Sequence, residues 1–408
     1  MKNQRIMIIG AGDFQLPIVR AAARRGEVIL VAPAVSDAFK PYITRSYLLD
    51  VREKEKILDI AQQEEIDAVQ TDQTDIPVRT VAYVAENLGL PGNGYQTARL
   101  FSEKNMMRDR MRELGLPVLP YAVVDDVRQA REFYRYLNCP IIIKPMGTQG
   151  SRGVVEVTEE QRLDRAFVQA MEYSDDGRVL VEKCAHGIEF VCESAVVDHR
   201  CTPLILGDTH YFGKKSLFSA KERIFPSLQP KEITDQVLAL NQAIVEGFGL
   251  TQGITHGEYI LDEGRPYLLE IAARGGGVYI SSDLIHLRTG LDTEDFLLDL
   301  ALKGTAEINI HETGVFAGYR CFYLPAGEVV SVRGIDEAAA LPFLHSNQLD
   351  EIHTGMQIAE NTNKTSRFAM IITGRDHNEW EEHVRQVQAL LDINVQAADG
   401  SLKPIIWS

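Results

Sequence analysis

Glu258 and Glu270 stand at the two ends of a predicted β-hairpin in the run THGEYILDEGRPYLLEIAARGGG. A three-residue loop, Glu263-Gly264-Arg265, would set the two glutamates opposite each other on one face. A two-residue loop would pair Glu258 with Leu269 and part the faces. Opposed carboxylates repel. A hard divalent cation turns that liability into a site, since Mg²⁺ is held by one or two carboxylates together with phosphate oxygens. Arg274 and Gly275, Gly276 and Gly277 follow at once. They offer a guanidinium fork and closely approaching backbone amides for an oxyanion.

Three upstream segments are also suited to phosphate or nucleotide. On a predicted helix from about Thr97 to Leu114, Leu100, Lys104, Met107, Met111 and Leu114 form one apolar stripe. A lysine in that stripe either snorkels to water or meets an anion. Lys144 ends the buried strand IIIK, and Gly147, Gly150 and Gly153 punctuate the loop that follows. Backbone N–H groups of such a loop, with the Ser151 and Thr148 hydroxyls, can cradle phosphates, although the order GxxxxGK[ST] is absent. As an isolated segment it is equally a plain hairpin loop. In RVLVEKCAHGIEF, Glu182 ends one strand and Glu189 opens the next. The Lys183–Ala185 linker could meet a purine edge and a carboxylate the ribose hydroxyls, but exposed glutamates are also common without a ligand.

The opening GAGDFQ departs from the dinucleotide fingerprint, because Gln15 stands where its third glycine belongs. A tight turn facing a shared cleft is the expected role. The segment 207–230 mixes aromatics and cations. It is either a solvated loop or an acceptor wall in which Lys214, Lys215 and Arg223 bind a second carboxylate or phosphate.

The elements that must position these residues fall into three groups. Residues 1–95 alternate strands (RIMII, VILVAP, DAVQT) with helices, which predicts a doubly wound parallel sheet. Residues 96–315 begin with helices and continue as antiparallel strands around a helix near 231–248. Residues 316–408 read as a small α+β unit, with helices near 336–345 and 378–391 and a strand over DEIHTGMQI.

Composition bounds the function. The chain has 408 residues, 45% apolar and 25% charged, values of an ordinary globular protein. A formal charge of −16 argues against non-specific nucleic-acid binding, which needs a basic footprint. No apolar run is long enough to span a membrane, and the N-terminus does not read as a signal peptide. The five cysteines (Cys139, Cys184, Cys192, Cys201 and Cys321) form no CxxC pair. They read as free thiols in a cytoplasmic protein, with neither a zinc site nor a nucleophile. A homodimer is only a prior.

Taken in order, a helix lysine, a lysine before a glycine loop, a glutamate hinge, paired glutamates and an arginine resemble the ATP-grasp superfamily over nearly the whole chain. The resemblance implies a substrate domain at 1–95, an ATP-clasping pair of lobes at 96–315 (about 115–185 and 186–315), and a C-terminal cap at 316–408. It implies that Lys104 and Lys144 contact the nucleotide phosphates, that the 147–153 loop closes over them, and that Glu182, with Lys183 and Ala185, binds adenine. Glu189 would take the ribose. Glu258 and Glu270 would hold Mg²⁺, or Mn²⁺ in its place, and Arg274 would stabilise the transferred phosphoryl group.

Many members carry asparagine two residues after the second glutamate. This chain has Ala272, which puts a third metal ligand and a second ion in doubt. The activity implied is ATP-dependent joining of a small carboxylate, such as an amino acid, to an amine. A purine-pathway ligase acting on a phosphoribosyl substrate is the enzymatic alternative. Bicarbonate activation is a third, without a biotin-attachment motif to support it. A non-catalytic nucleotide-binding protein is the alternative of another class.

Overall fold

The computed structural model describes residues 4–146, 153–174, 176–213, 219–360 and 367–408. Its first sheet is parallel and four-stranded, in the order Arg45–Leu48, Gly26–Ala32, Gln4–Ile9, Ala68–Gln70. Helices cover both faces, so the central strands carry continuous apolar runs rather than alternation. At the carboxyl edge, Gln15 is 3% exposed. The Gly12 amide donates to its Oε1, and its Nε2 donates to Thr71 Oγ1. A Cβ at Gly10 would lie 2.5 Å from the Gln15 amide. The side chain thus plugs the turn where a dinucleotide's phosphates would need room.

The second sheet is antiparallel, in the order Tyr121–Val124, Val179–Lys183, Ile141–Pro145, Val155–Val157. Helices Val127–Leu137 and Leu163–Met171 pack against it around Ile141, Ile143 and Val181. The first is capped by the Asp126 side chain, which accepts from the Arg128 amide.

An eight-stranded sheet forms the body. Its first five strands are Arg265–Ala272, Gly253–Asp262, Ile188–Val197, Arg200–Tyr211 and Ala220–Phe225. Phe316–Tyr323, Arg367–Gly374 and Leu344–Asn347 extend the same sheet. It is therefore continuous across residue 315. A last four-stranded sheet and the helix His377–Leu390 close a core around Trp380. Arg25 of the first helix pairs with Asp295 and Asp299 of the helix Thr293–Lys303, joining the parallel sheet to the body.

Three local expectations are corrected. The helix over 97–114 is two helices, Tyr95–Leu100 and Lys104–Glu113. Glu103 between them is extended, so Lys104 opens the second helix instead of sitting mid-helix. The helix near 336–345 is only Ile335–Ala339, followed by a strand. DEIHTGMQI gives a 3₁₀ turn at Leu349–Glu351 and strand only at Gln357–Ile358.

Candidate active site

The hairpin sets Glu258 directly opposite Glu270, by a route other than the expected one. The loop has two residues, Glu263 and Gly264, both with positive φ (53° and 78°), and Asp262 pairs with Arg265. That turn alone would have paired Glu258 with Leu269. A β-bulge between Glu258 and Tyr259 adds one residue to the second strand and restores the opposition. Arg108 Nη2 donates to the Leu269 carbonyl at 2.7 Å, taking up the acceptor of the extra residue.

Arg108 is also the centre of a buried triad. Its Nε donates to Glu182 Oε1 at 2.6 Å, and Lys144 Nζ donates to Glu182 Oε2 at 2.8 Å. Glu182 is fully buried. Burial pushes its carboxyl up, and the two cations outweigh that and hold it at about 2. Glu182 therefore faces two cations of the chain and anchors them. Lys104 Nζ reaches Glu270 Oε1 at 2.9 Å, so the stripe lysine meets an anion. Lys183 pairs with Asp262 at 2.8 Å, tying the linker after the small sheet to the hairpin tip. The Lys183 and Cys184 amides donate to the Pro120 and Pro140 carbonyls and are spent there.

Lys104, Lys144, Glu182, Lys183, Ala185, Glu189, Glu258 and Glu270 line one cavity of about 300 Å³. Glu189 bonds the Tyr211 hydroxyl, and burial raises its carboxyl to about 7.

Glu258 is fixed from behind. Arg223 Nη2 donates to it, and Arg223 Nη1 lies 3.0 Å from His256 Nε2. His256 Nδ1 meets the fully buried Glu193, whose other oxygen accepts the Gly276 amide at 2.9 Å. A proton on Nδ1 satisfies this arrangement, since Nε2 then accepts from Arg223. Burial opposes ionisation of Glu258, and the Arg223 guanidinium outweighs it, holding the carboxyl well below the usual range. Arg223, expected to meet a substrate anion, is 8% exposed and committed to Glu258.

The Arg274 segment is held by the parallel sheet. Arg274 Nε and Nη2 both reach Asp75 Oδ1 at 2.5 Å, and the Gly275 amide donates to Asp72 Oδ1 at 2.8 Å. A Cβ at Gly275 would lie 2.1 Å from Ser281 Oγ, and one at Gly276 2.6 Å from Glu193 Oε1. Those two glycines are needed for close packing, and their amides are bound within the protein instead of waiting for an oxyanion. A Cβ at Gly277 would meet only the Gln73 carbonyl oxygen, at 3.5 Å. Val278 and Tyr279 follow with φ of 60° and 59°, a strained stretch for a β-branched residue. Gly153 has φ 72°, and a Cβ there would strike Pro145. Gly147, Gly150, Ser151 and Lys214 lie outside the described residues.

Residues 137–283 match the family model of the ATP-grasp domain. This span of the chain is an ATP-grasp domain. The matched span carries every charged group named above except Lys104, Arg108, Asp72 and Asp75.

Among relatives, the phosphoribosylamine–glycine ligase of Thermococcus kodakarensis is 25% identical over 325 residues, 74% of this chain and 74% of the relative. The alanine–anticapsin ligase of Bacillus subtilis is 26% identical over 270 residues, 61% of this chain and 57% of that protein. The crystal structure of an L-amino acid ligase from Bacillus licheniformis superposes with a TM-score of 0.84 at 22% identity, over 97% of this chain and 100% of that one. Phosphoribosylglycinamide synthetase from Anaerococcus prevotii gives 0.76 at 14% identity, over 96% and 99%. These two share the fold.

Five residues of this site carry no reading in the sequence: Asp72, Asp75, Arg108, Glu193 and His256. A signal existed for the first two. TDQTD directly follows the strand ending at Gln70, and carboxyl ends of parallel strands face ligand crevices. His256 lies two residues before Glu258 on the same strand face and 3.3 Å from it, a local signal, whereas Arg108 and Glu193 are joined to the site only by contacts 63 or more residues apart along the chain.

Proposed function

We propose that this ATP-grasp protein is an ATP-dependent carboxylate–amine ligase, and that its carboxylate substrate is an amino acid. The observation that carries the reading is the opposition of Glu258 and Glu270 on a cavity that the 182–186 linker also lines. The carboxylate oxygen attacks the γ-phosphorus of ATP, the bond to the β-phosphate oxygen breaks, and ADP leaves. The amine nitrogen then attacks the acyl carbon, the carbon–oxygen bond to phosphate breaks, and phosphate leaves with the amide formed. Such transfer rests on positioning and charge neutralisation rather than on a protein nucleophile. Lys104 and Lys144 supply positive charge along the cavity, and Arg274, aligned by Asp75, would stabilise the transferred group.

Two opposed carboxylates form an all-oxygen donor set that fits Mg²⁺, or Mn²⁺. Bound there, the ion would neutralise nucleotide phosphate charge. With alanine at 272, a single ion suits the donors present.

The amino-acid assignment is supported by the two curated relatives above, whose names share an amino acid, glycine in one and alanine in the other. A phosphoribosyl substrate is the second reading, favoured by the first relative's name. The plugged Gly10–Gln15 turn speaks against it, because the Gly12 amide is already spent on Gln15. By this reading residues 1–95 form the substrate side, 96–315 the nucleotide clasp and 316–408 the cap, and the protein works in the cytoplasm. Hydroxylamine supplied in place of the amine tests the intermediate. Hydroxamate should accumulate with ATP and the correct amino acid. Amide formation from a competent acid–amine pair with no hydroxamate under any condition would contradict an acyl phosphate.

A further inference from the structure

We infer that Glu156, Cys184 and His186 form a binding site for a Zn²⁺-class cation, and that an ion there and a nucleotide exclude each other. Glu156 lies on the edge strand Val155–Val157 of the small sheet. Cys184 and His186 follow the strand Val179–Lys183. Glu156 Oε1 is 3.8 Å from Cys184 Sγ and 3.9 Å from His186 Nε2. All three ligand atoms lie within 4.8 Å of one another. Tetrahedral zinc, with bonds of about 2.0–2.3 Å, needs neighbouring ligand atoms about 3.3–3.8 Å apart. Small side-chain rotations close that difference. The backbones need not move, since the Cys184 amide is held by the Pro140 carbonyl and the His186 amide by Asp262.

The donor set is sulfur, nitrogen and oxygen, which selects zinc over magnesium. Among the described residues Glu156 has no lysine or arginine partner. The two lysines beside the site are committed elsewhere, Lys144 to Glu182 and Lys183 to Asp262. On binding, the thiol loses its proton to solvent as the sulfur–metal bond forms, and the fourth position faces the cavity. All three residues line the same 300 Å³ cavity as Glu258 and Glu270. An ion on them would fill the linker end of that cavity. The exclusion rests on the nucleotide reading proposed above; the metal site does not.

The test uses full-length, metal-stripped protein titrated with Co²⁺ as a spectroscopic stand-in for Zn²⁺. A thiolate-to-cobalt charge-transfer band should appear in the wild type and in Cys139→Ser, a control chosen because Cys139 adjoins Pro140. It should be absent in Cys184→Ser. His186→Ala, altered at an exposed side chain, should bind at least about 10-fold more weakly, by loss of one ligand. Zn²⁺ should bleach the band. Saturating adenosine should bleach it too, and adenosine lacks the phosphates that would strip the metal in solution. No band, or an equal band in Cys184→Ser, overturns the site. A band unmoved by adenosine, while calorimetry shows adenosine binding to the metal-free protein, overturns the exclusion. If calorimetry shows that the metal-free protein binds neither adenosine nor ADP, the nucleotide reading fails and the exclusion with it, while the cobalt band decides the metal site on its own.

Discussion

Glu182 and Glu270 belong to the same cavity and are stabilised in opposite ways. Glu182 is sealed, with two cations on its two oxygens and no solvent contact. Glu270 is 45% exposed and holds one lysine. The first arrangement is complete without a ligand: it fixes Arg108 and, through it, the bulge that sets Glu258 opposite Glu270. The second is a placeholder. A divalent cation on Glu258 and Glu270 would replace the Lys104 contact and release that ammonium toward nucleotide phosphates. Burial and full pairing mark a positioning residue, while partial exposure with a single cation marks a working one.

The comparison can be broken first at the sealed end. Glu182→Gln strips the counter-charge from two buried cations and should cost about 3–5 kcal/mol in denaturant unfolding. A loss below about 1 kcal/mol would mean that the triad is not structural. At the open end the order of effects reverses. Glu270→Gln removes a half-exposed carboxylate but takes that partner from the buried Lys104, so it should cost about 1–2 kcal/mol, less than Glu182→Gln, while ATP turnover falls about 100- to 1000-fold. Equal losses of stability in the two variants would erase the distinction.

Acidity sharpens it further. The folded pKa of Glu182 lies near 2, below its ordinary 4.5. Its contribution is present above pH 4.5 and is lost as the pH falls toward 2. Glu189 has the opposite sign: its folded pKa is near 7, above 4.5. The unfolded chain releases that proton first, so stability falls as the pH rises from about 4.5 to about 7. Glu189→Gln should therefore gain about 1–2 kcal/mol over the wild type above pH 7, and the gain should vanish below pH 4.5. Thermal melts across pH 4–8 check both the size and the direction. The smallest effect concerns the glycine run. Gly277→Ala meets only ordinary contact at 3.5 Å and should change stability by about 0.5 kcal/mol or less, whereas Gly276→Ala should cost about 1–3 kcal/mol.

Much of this site was legible in the sequence because its charged residues sit at element ends: Lys144 closing IIIK, Glu182 closing RVLVE, and Glu258 and Glu270 in one hairpin. The hairpin also shows where reading stops. The opposition was inferred correctly from an incorrect loop, because a bulge is set by the partner that accepts it, and Arg108 is 161 residues away from Leu269. The helix break before Lys104 was hidden by an apolar stripe that continues in spacing across two helices. Arg223 and the glycine amides look available to a ligand in one dimension. Their partners, Glu258, Asp72 and Glu193, come from distant strands.

ADP release from Mg-ATP, measured across pairs of amino acids and amines with wild type and folded Glu270→Ala in parallel, tests the central claim most directly. Release should be stimulated by a particular pair in the wild type and lost in Glu270→Ala. Turnover at the wild-type rate in folded Glu270→Ala would contradict it.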